Sequence, residues 1–332
     1  MKFKDYSIRL CRKVFRVFNK KEFKNPECIY NRQIANQIIY DLLVADAPCM
    51  IARFGTTELI TLNNYLCIKS NDSSLKKVWS FISDNTHTPW WFEENFKFLE
   101  VFSGVYPATQ EISERFSKRY LEDIPLIDVL GSFQYYEKFM PLKNNIINVH
   151  LETLYPFFVK QPWTKALKGK KVLIVHPFEE TIIHQYSKRN HLFKDENILP
   201  EFELITYKAV QSAAGIRPKY KDWFEALKFM ADEISKIDFD ICILGCGAYG
   251  LPLAAHVKRM GKKSFHIGGG LQLLFGIKGK RWDNTNYGTC EFKNYTGLMD
   301  KPYNTLYNEY WIRPLKEDTP KNAKNLDNGV YW

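Results

Sequence analysis

Apolar and polar positions alternate most regularly in the second half of the chain. There, the continuous apolar run 170–178, rich in β-branched residues, and further short strand-like segments are separated by stretches with apolar residues at helical spacing. Runs of the first kind are typical of parallel strands buried on both faces, and the second kind is typical of connecting helices. The predicted strands are 170–178, 202–210, 239–247 and 263–270, and the predicted helices are 179–193, 221–237 and 251–260. This order predicts an α/β fold with a Rossmann-like, doubly wound, mostly parallel sheet.

The first half of the chain shows the same kinds of element in a less regular order. The pattern predicts helices over 30–47, 56–68, 74–84 and 110–121, and strands over 48–55 and 126–130. Two segments rich in aromatic residues and proline, 86–109 and 145–165, are predicted to be irregular connections. We therefore divide the chain into a basic N-terminal helix (1–24), an N-terminal α/β portion (25–165), a Rossmann-like portion (166–282) and a polar C-terminal tail that wraps the surface (283–332).

Most of the formal net charge of +10 lies in residues 1–24, which hold nine Lys or Arg against two acidic residues. If helical, this segment aligns Leu10, Val14 and Phe18 on one side. Basic amphipathic helices of this kind are typical of segments that lie on an anionic membrane surface. A helix whose apolar side docks on the protein's own body gives the same pattern. Because the rest of the chain is nearly balanced in charge, no nucleic-acid partner is expected.

Composition indicates a reducing compartment. The seven cysteines are scattered without a Cys-x-x-Cys pair, which disfavours a disulfide framework or a structural zinc site. The chain has no run of about 18 apolar residues that could cross a bilayer, and its N-terminal segment lacks the apolar core of a secretory signal. We expect a cytoplasmic protein, held at the inner face of the membrane if residues 1–24 bind lipid.

A glycine-rich loop follows the predicted strand 239–247. Residues Gly245 to Gly250 read G-x-G-x-x-G, with Gly245, Gly247 and Gly250 as the three glycines, and the next strand ends in Gly268 and Gly269. Such loops let the backbone approach a phosphate group closely. A nicotinamide cofactor further requires a carboxylate at the end of the next strand, and none is present there. A phosphate-bearing ligand is therefore favoured over NAD(P), and glycines that serve only tight turns are a third interpretation.

The stretch IARFGTTEL, residues 51–59, places charged residues where an apolar strand ends. Arg53 offers a planar set of donors that can bind a diphosphate bidentately. Gly55 lets the chain turn, and Glu58 follows one helical turn into the next element. Glu58 could accept a proton, hold a sugar hydroxyl or ligate a divalent cation. A buried ion pair between Arg53 and Glu58 would produce the same spacing.

This stretch resembles the motif of the GT-D type of bacterial glycosyltransferases, which runs roughly Ala-Arg-Phe-Gly-Asp-Gly-Glu after a short strand. The segment ALKGKKVLIVHPF, residues 166–178, is similar to a downstream segment of those enzymes. The resemblance implies a Rossmann-like fold, a nucleotide-sugar donor, and transfer to a growing polysaccharide or a lipid-linked glycan of the capsule or O-antigen type. Arg53, Gly55 and Glu58 match the motif.

Thr56 departs from the motif, because the family has at this position an aspartate linked to the metal and the diphosphate. A threonine hydroxyl is a poor ligand for Mg²⁺ or Mn²⁺ compared with a carboxylate. Two interpretations follow. Either Glu58 holds a metal together with water and phosphate, or the chain works without a metal and uses Arg53 and nearby cations. We name no metal ligand.

Two further regions carry candidate residues. At the end of the strand 170–178, His176 and Glu179 lie where open α/β sheets bind ligands, and Glu179 is a candidate general base. It could equally supply charge to the first turn of the following helix. Beyond the glycine strand, Lys278, Lys280 and Arg281 could close over a diphosphate.

The sequence thus predicts a glycosyltransferase. The predicted catalytic residues are Glu58, Arg53 and Glu179. The predicted donor-binding residues are Arg53, Gly55, Thr56, His176, Gly245, Gly247, Gly250, Gly268, Gly269 and Lys278. Two alternatives stay open: an NAD(P)-dependent oxidoreductase that uses the loop from Gly245 to Gly250, and a non-catalytic assembly factor that binds glycan or membrane.

Overall fold

The computed structural model describes residues 2–19, 26–287, 302–325 and 329–332. Seven parallel strands form one sheet in the order β3-β2-β1-β7-β6-β4-β5. The strands are β1 (Met50–Arg53), β2 (Val129–Ser132), β3 (Ile147–His150), β4 (Lys171–His176), β5 (Glu203–Lys208), β6 (Ile241–Leu244) and β7 (Lys263–His266). This sheet confirms the Rossmann-like, doubly wound α/β fold that the apolar periodicity predicts.

Helices pack against both faces of the sheet. The α-helices of the described residues are α1 (Lys2–Phe18), α2 (Arg32–Val44), α3 (Thr56–Lys69), α4 (Ser74–Ile82), α5 (Glu93–Ser103), α6 (Gln110–Asp123), α7 (Glu179–Tyr186), α8 (Arg189–Leu192), α9 (Trp223–Ile234), α10 (Gly250–Arg259) and α11 (Leu271–Leu274). Helices α2, α7, α8 and α11 contribute to the core on one face. Helices α3, α5, α6, α9 and α10 contribute to the core on the other.

The strands divide their side chains between these two cores, because successive residues of a strand point to opposite faces. In β4, Val172 and Ile174 join the core beneath α2 and α7, whereas Leu173 and Val175 join the core beneath α9 and α10. All four side chains are buried. Burial on both faces explains why the strand appears in the sequence as an uninterrupted apolar run.

Strand β1 joins the two halves of the chain. It pairs with β2 on one side and with β7 on the other, where Met50 lies opposite Ser264 and Ile51 opposite Phe265. The end of β1 therefore lies beside the ends of the C-terminal strands. Ligands of open α/β sheets bind outside the carboxyl ends of the strands, so this pairing brings Arg53 to the edge where a ligand site is expected.

Two predicted connections contain regular elements. Residues 145–165 include β3, an edge strand that is only half-buried at its start and so lacks a continuous apolar run. Residues 86–109 include α5, which ends at Gly104 in the left-handed conformation (φ +74°). The aromatic residues of α5 point both inward and outward. Since Phe98 and Phe102 are exposed, they hide the helical period in the sequence.

Helix α1 docks on α4 through one side. Ile8, Arg12 and Phe15 are the partly buried residues among 6–19, and the Phe15 ring meets the Trp79 ring edge-on, with centroids 5.8 Å apart. Leu10, Val14 and Phe18, the predicted apolar stripe, remain exposed. Residues 20–24 of the predicted segment lie outside the described residues. None of the described helices combines the length and the apolar character that a bilayer crossing requires.

The described part of the C-terminal tail packs against the body of the protein. Trp311 is buried in the core beneath α2 and α7. Tyr331 and Trp332 pack beside the ligand edge of the sheet. The rest of the predicted tail, 288–301 and 326–328, lies outside the described residues.

Candidate functional site

A cleft of about 280 Å³ opens at the carboxyl edge of the sheet. Four neighbouring strands end there: β1 in Arg53, β7 in His266, β6 next to Gly245 and β4 in His176. The chain leaves β4 outward to β5 and returns to β6 on the other side of β4, so the strand order reverses at this edge. Crevices at such reversals are the usual ligand sites of open α/β sheets.

Gly55 and Glu58 are coupled by the way helix α3 begins. Gly55 is the N-cap residue of α3. The Glu58 carboxylate folds back over it, so a Cβ at position 55 would overlap the carboxylate oxygens. In this position the carboxylate lies beside its own backbone N–H and the Ser103 hydroxyl, both of which favour its charged form. The glycine of the motif is therefore required to make room for the glutamate three residues later.

The Glu58 carboxylate lines the cleft although only 8% of the residue is exposed. Burial raises the pKa of this carboxyl, and the hydrogen bond from its own N–H, the charge of Arg53 and the Ser103 hydroxyl offset only part of that rise. A carboxyl group whose pKa is raised in a ligand cleft is suited to accept a proton near neutral pH.

Arg53 extends from β1 into the cleft and is half-buried. Its guanidinium lies 5.5 Å from the centre of the Phe133 ring. Its Cδ passes over Gly268 (φ +71°), where a Cβ would come within 3.3 Å. Among the described residues, Arg53 has no carboxylate within 4.0 Å and no hydrogen-bond partner for its side chain. The ion pair with Glu58, which the spacing also allows, is not formed.

A second arginine, Arg281, lines the same cleft. Its backbone N–H donates to the Val330 carbonyl (3.0 Å), which ties this segment to the end of the chain. Its guanidinium lies 4.9 Å from the centre of the Tyr331 ring and 5.8 Å from that of Tyr287. Arg281 forms no ion pair with a carboxylate of the described residues. Aromatic rings therefore hold this guanidinium in place.

His176 and His266 are buried at the ends of β4 and β7. Burial lowers the pKa of both imidazoles to about 3, and at His266 the charge of Arg53 lowers it further. Both rings are neutral at physiological pH. The Phe178 backbone N–H donates to Nδ1 of His176 (3.0 Å), so the His176 ring carries its proton on Nε2.

The charged residues that line the cleft, among those described, are Arg53, Arg281 and Glu58. Two guanidinium groups against one carboxylate leave this lining with a net positive charge. The cleft is therefore electropositive. Such a site favours an anionic ligand, and guanidinium groups bind phosphate oxygens bidentately.

The loop after β6 is held close to the cleft. Gly247 has φ of +58°, which favours glycine. A Cβ on Gly245 would come within 2.7 Å of the His176 ring and 2.9 Å of the Gly268 carbonyl oxygen. The Tyr120 hydroxyl donates to the Ala248 carbonyl (2.6 Å) and fixes the loop from behind.

No family model, curated protein or solved structure matches this chain. The cleft itself brings together most of the residues that the sequence predicts for a site. Those that line it are Arg53, Gly55, Thr56, Glu58, His176, Gly245, Gly247, Gly268 and Gly269.

Three predicted residues do not line the cleft. Glu179 is the first residue of α7 and is half-buried there. A Cβ on Gly250 would overlap the His266 ring, so this glycine serves the packing of α10 on β7. The Nζ atom of Lys278 lies 5.3 Å from the centre of the Tyr307 ring.

Several lining residues were not among the predicted ones. They are mainly hydroxyl and aromatic side chains, with His266 in addition: Phe102, Ser103, Ser212, Tyr249, His266, Tyr331 and Trp332. Only His266 carried a usable signal, because it ends a predicted strand, as His176 does. Tyr249 lies in the glycine loop after β6. The others come from α5, from the loop after β5 and from the end of the chain, whose positions depend on tertiary packing.

The residues of the cleft do not fit the divalent cation that the family resemblance implies. Thr56 offers an exposed hydroxyl in place of a carboxylate, and the Glu58 carboxylate folds back over Gly55 at the start of its own helix. Within the described ranges, no three His, Cys, Asp or Glu side chains are grouped so that they could hold a metal ion. Mg²⁺ and Mn²⁺ prefer carboxylate oxygens, and the cleft supplies one carboxylate.

Proposed function

We propose that the protein is a glycosyltransferase that moves a sugar from a nucleotide-sugar donor to a growing polysaccharide or glycan. One observation carries the proposal. Arg53 points into an electropositive cleft without a carboxylate partner among the described residues, five positions before a carboxylate that lines the same cleft. A diphosphate is the kind of anion that such a guanidinium binds. The resemblance of residues 51–59 to the GT-D motif supports the same assignment.

In the proposed reaction, a hydroxyl oxygen of the acceptor bonds to the anomeric carbon of the donor sugar. The bond between that carbon and the diphosphate breaks, and the nucleoside diphosphate leaves with the electron pair. Glu58 accepts the hydroxyl proton. Arg53 stabilises the charge that develops on the leaving group, and His176 offers a neutral Nε2–H as a further donor. Glu58 suits the role of base better than Glu179, which does not line the cleft.

The proposed acceptor is a polysaccharide or lipid-linked glycan of the capsule or O-antigen type, as the resemblance implies. An aromatic rim supports a sugar ligand. Phe102 lines the cleft and stacks on the exposed ring of Phe98, with centroids 5.7 Å apart. Exposed aromatic faces beside a cleft suit the apolar faces of sugar rings.

The test is a thermal-shift screen of the whole chain against nucleoside diphosphates, their sugars and NAD(P), with and without Mn²⁺. We expect at least one nucleoside diphosphate to raise the melting temperature, because a ligand that binds the folded state stabilises it. Stabilisation by NAD(P) alone would favour the oxidoreductase. Binding to polysaccharide or vesicles without any response to nucleotides would favour the assembly factor.

We further propose that α1 holds the protein at the cytoplasmic face of an anionic membrane. The α1 surface, which faces away from α4, consists of five side chains that are each at least 50% exposed: Tyr6, Leu10, Val14, Val17 and Phe18. Exposed Arg9 and Lys13 lie on the same helix. Leu75 and Trp79 of α4 extend the exposed apolar area. Apolar side chains among cations suit lipids with anionic headgroups.

Vesicle co-sedimentation tests this location. The whole chain should bind phosphatidylserine-containing vesicles and not pure phosphatidylcholine vesicles, and added salt should weaken the binding. The double variant Val14→Ser, Phe18→Ser should lose binding. Ile183→Ser, which removes an exposed apolar side chain from α7, is the matched control and should bind normally. Equal binding of all three proteins would contradict the proposal.

A further inference from the structure

We propose that Arg281 and Arg53 together bind the donor diphosphate and supply the positive charge that a divalent cation supplies in the enzymes the motif resembles. This inference rests on the proposed function and deepens it. It assigns a second anion-binding residue and predicts that donor binding needs no metal. The sequence marked Arg281 only as one of three cations after a glycine strand.

The first supporting observation is that the two guanidinium groups converge. Both line the cleft, although 228 positions separate them in the sequence. The Arg53 side chain passes over Gly268, and the Tyr331 ring beside the Arg281 guanidinium packs on the adjacent Gly269. One ligand in the cleft could therefore reach both of them.

The second observation is the lack of charge compensation in the described chain. Neither arginine has a carboxylate within 4.0 Å among the described residues. Two partly buried cations close to each other repel and are costly to desolvate. An anion with two or more negative charges offsets that cost, so the cleft favours binding of such a ligand. A diphosphate carries this charge.

The third observation is that Arg281 is oriented before a ligand arrives. The Tyr331 ring lies 4.9 Å from its guanidinium, and its backbone N–H is bonded to the Val330 carbonyl. Tyr331 in turn packs on Gly269, where a Cβ would come within 2.5 Å of its ring. Stacking on an aromatic face fixes the plane of a guanidinium and leaves its edge N–H groups available to phosphate oxygens. Less conformational entropy is then lost on binding.

Calorimetric titration with inorganic pyrophosphate, and then with uridine and guanosine diphosphates, tests the inference. Each titration is made in EDTA and in Mn²⁺. We expect wild-type protein to bind with similar affinity in both. Arg281→Met, which keeps the aliphatic stem for stacking, should weaken binding at least 30-fold. Arg281→Lys keeps the charge and loses the planar set of donors, so it should weaken binding about 5- to 10-fold.

Arg313→Met is the matched control. Arg313 belongs to the C-terminal segment, pairs with Asp283 and does not line the cleft, so its loss should leave affinity unchanged. Circular dichroism melting of each variant shows whether it is folded, and Arg281→Lys tests the role if Arg281→Met does not fold.

The outcomes separate the two proposals. Binding of nucleoside diphosphate that disappears in EDTA, or that is unchanged in Arg281→Met, overturns the role of Arg281 and leaves the glycosyltransferase proposal standing. Binding of pyrophosphate that depends on Arg281, without binding of any nucleoside diphosphate or nucleotide sugar, supports the two-arginine site and overturns the glycosyltransferase. Binding of none of these anions by wild-type protein overturns both.

Discussion

Asp84 and Glu58 are two of the buried carboxylates of the described residues that lie near arginine side chains. Asp84 follows α4 and accepts hydrogen bonds from Arg12 (Nε, 2.7 Å) and Arg16 (Nε, 2.6 Å) of α1. Although burial raises the pKa of Asp84, the bonds from Arg16 and Arg12 outweigh it and lower that pKa overall. Glu58 instead lies at the start of its own helix beside Ser103, has a raised pKa, and forms no ion pair with Arg53.

The difference shows how the same two residue types serve structure in one place and ligand binding in another. At Asp84 the arginines satisfy the carboxylate, and the result is a helix held on its neighbour. In the cleft, Glu58 lies at the N-terminus of α3 beside Ser103 and is not paired with Arg53. This arrangement leaves the Arg53 donors available to an external anion and leaves the carboxylate able to take up a proton.

The largest expected effect concerns the role of Glu58 as base. Glu58→Gln should lower the transfer rate about 10²- to 10⁴-fold, the range typical of a lost general base. Affinity for the nucleoside diphosphate and the melting temperature should change little, because the amide oxygen can still accept from the α3 backbone. Steady-state transfer assays and calorimetry check both. A normal rate would remove Glu58 from the reaction.

Arg53→Ala should have the second largest effect. Loss of a charged, bidentate donor to a diphosphate should weaken nucleoside diphosphate binding on the order of 100-fold. The melting temperature of the unliganded protein should stay within a few degrees, because Arg53 forms no ion pair in the described structure. A large drop in the melting temperature together with normal binding would show that Arg53 has the structural role of Arg12 and Arg16.

Asp84→Asn should have a smaller effect than Arg53→Ala, and it should lower the stability of the protein rather than its affinity for diphosphate. Asp84 has φ of +58°, a conformation that asparagine tolerates, so the substitution removes the charge and keeps the backbone. With Arg12 and Arg16 left uncompensated, the loss of stability should be on the order of 2 kcal/mol, moderated because half of the Arg16 side chain is exposed. Urea unfolding measures it. Diphosphate affinity should not change.

The smallest expected effect is the pH dependence of the contributions that Glu58 and Asp84 make to the stability of the protein. The pKa of Glu58 is raised above 4.5, so its contribution to stability is present below pH 4.5 and is lost as pH rises through the folded pKa. The pKa of Asp84 is lowered below 3.8, so its contribution is present above pH 3.8 and is lost as pH falls through the folded pKa.

Unfolding in urea from about pH 3 to pH 8 compares the two carboxylates. Relative to wild type, Glu58→Gln should gain stability as pH rises, and Asp84→Asn should recover stability as pH falls. Parallel pH profiles for the two variants would contradict the contrast between the sites.

Periodicity by itself determined much of the fold. Strands β4 and β6 are buried on both faces, so each had to be largely a continuous apolar run, and the helices that follow them had to be amphipathic. Apolar periodicity did not predict β3, which is a half-buried edge strand. It also did not predict α5, because exposed aromatic residues hide the helical period of that segment. A regular pattern of apolar residues is expected only in an element of which at least one side is consistently excluded from water.

The local chemistry of the motif was also readable, because Gly55 and Glu58 meet within a single helical turn. The tertiary structure alone decided what surrounds them. Pairing of β1 with β7 brings Arg53 beside the glycine loops. The end of the chain packs against Arg281, which lines the cleft. Lys278, another of the three candidate cations, lies beside the Tyr307 ring instead. Contacts between distant segments depend on strand order and core packing, which the spacing of residues along a chain does not encode.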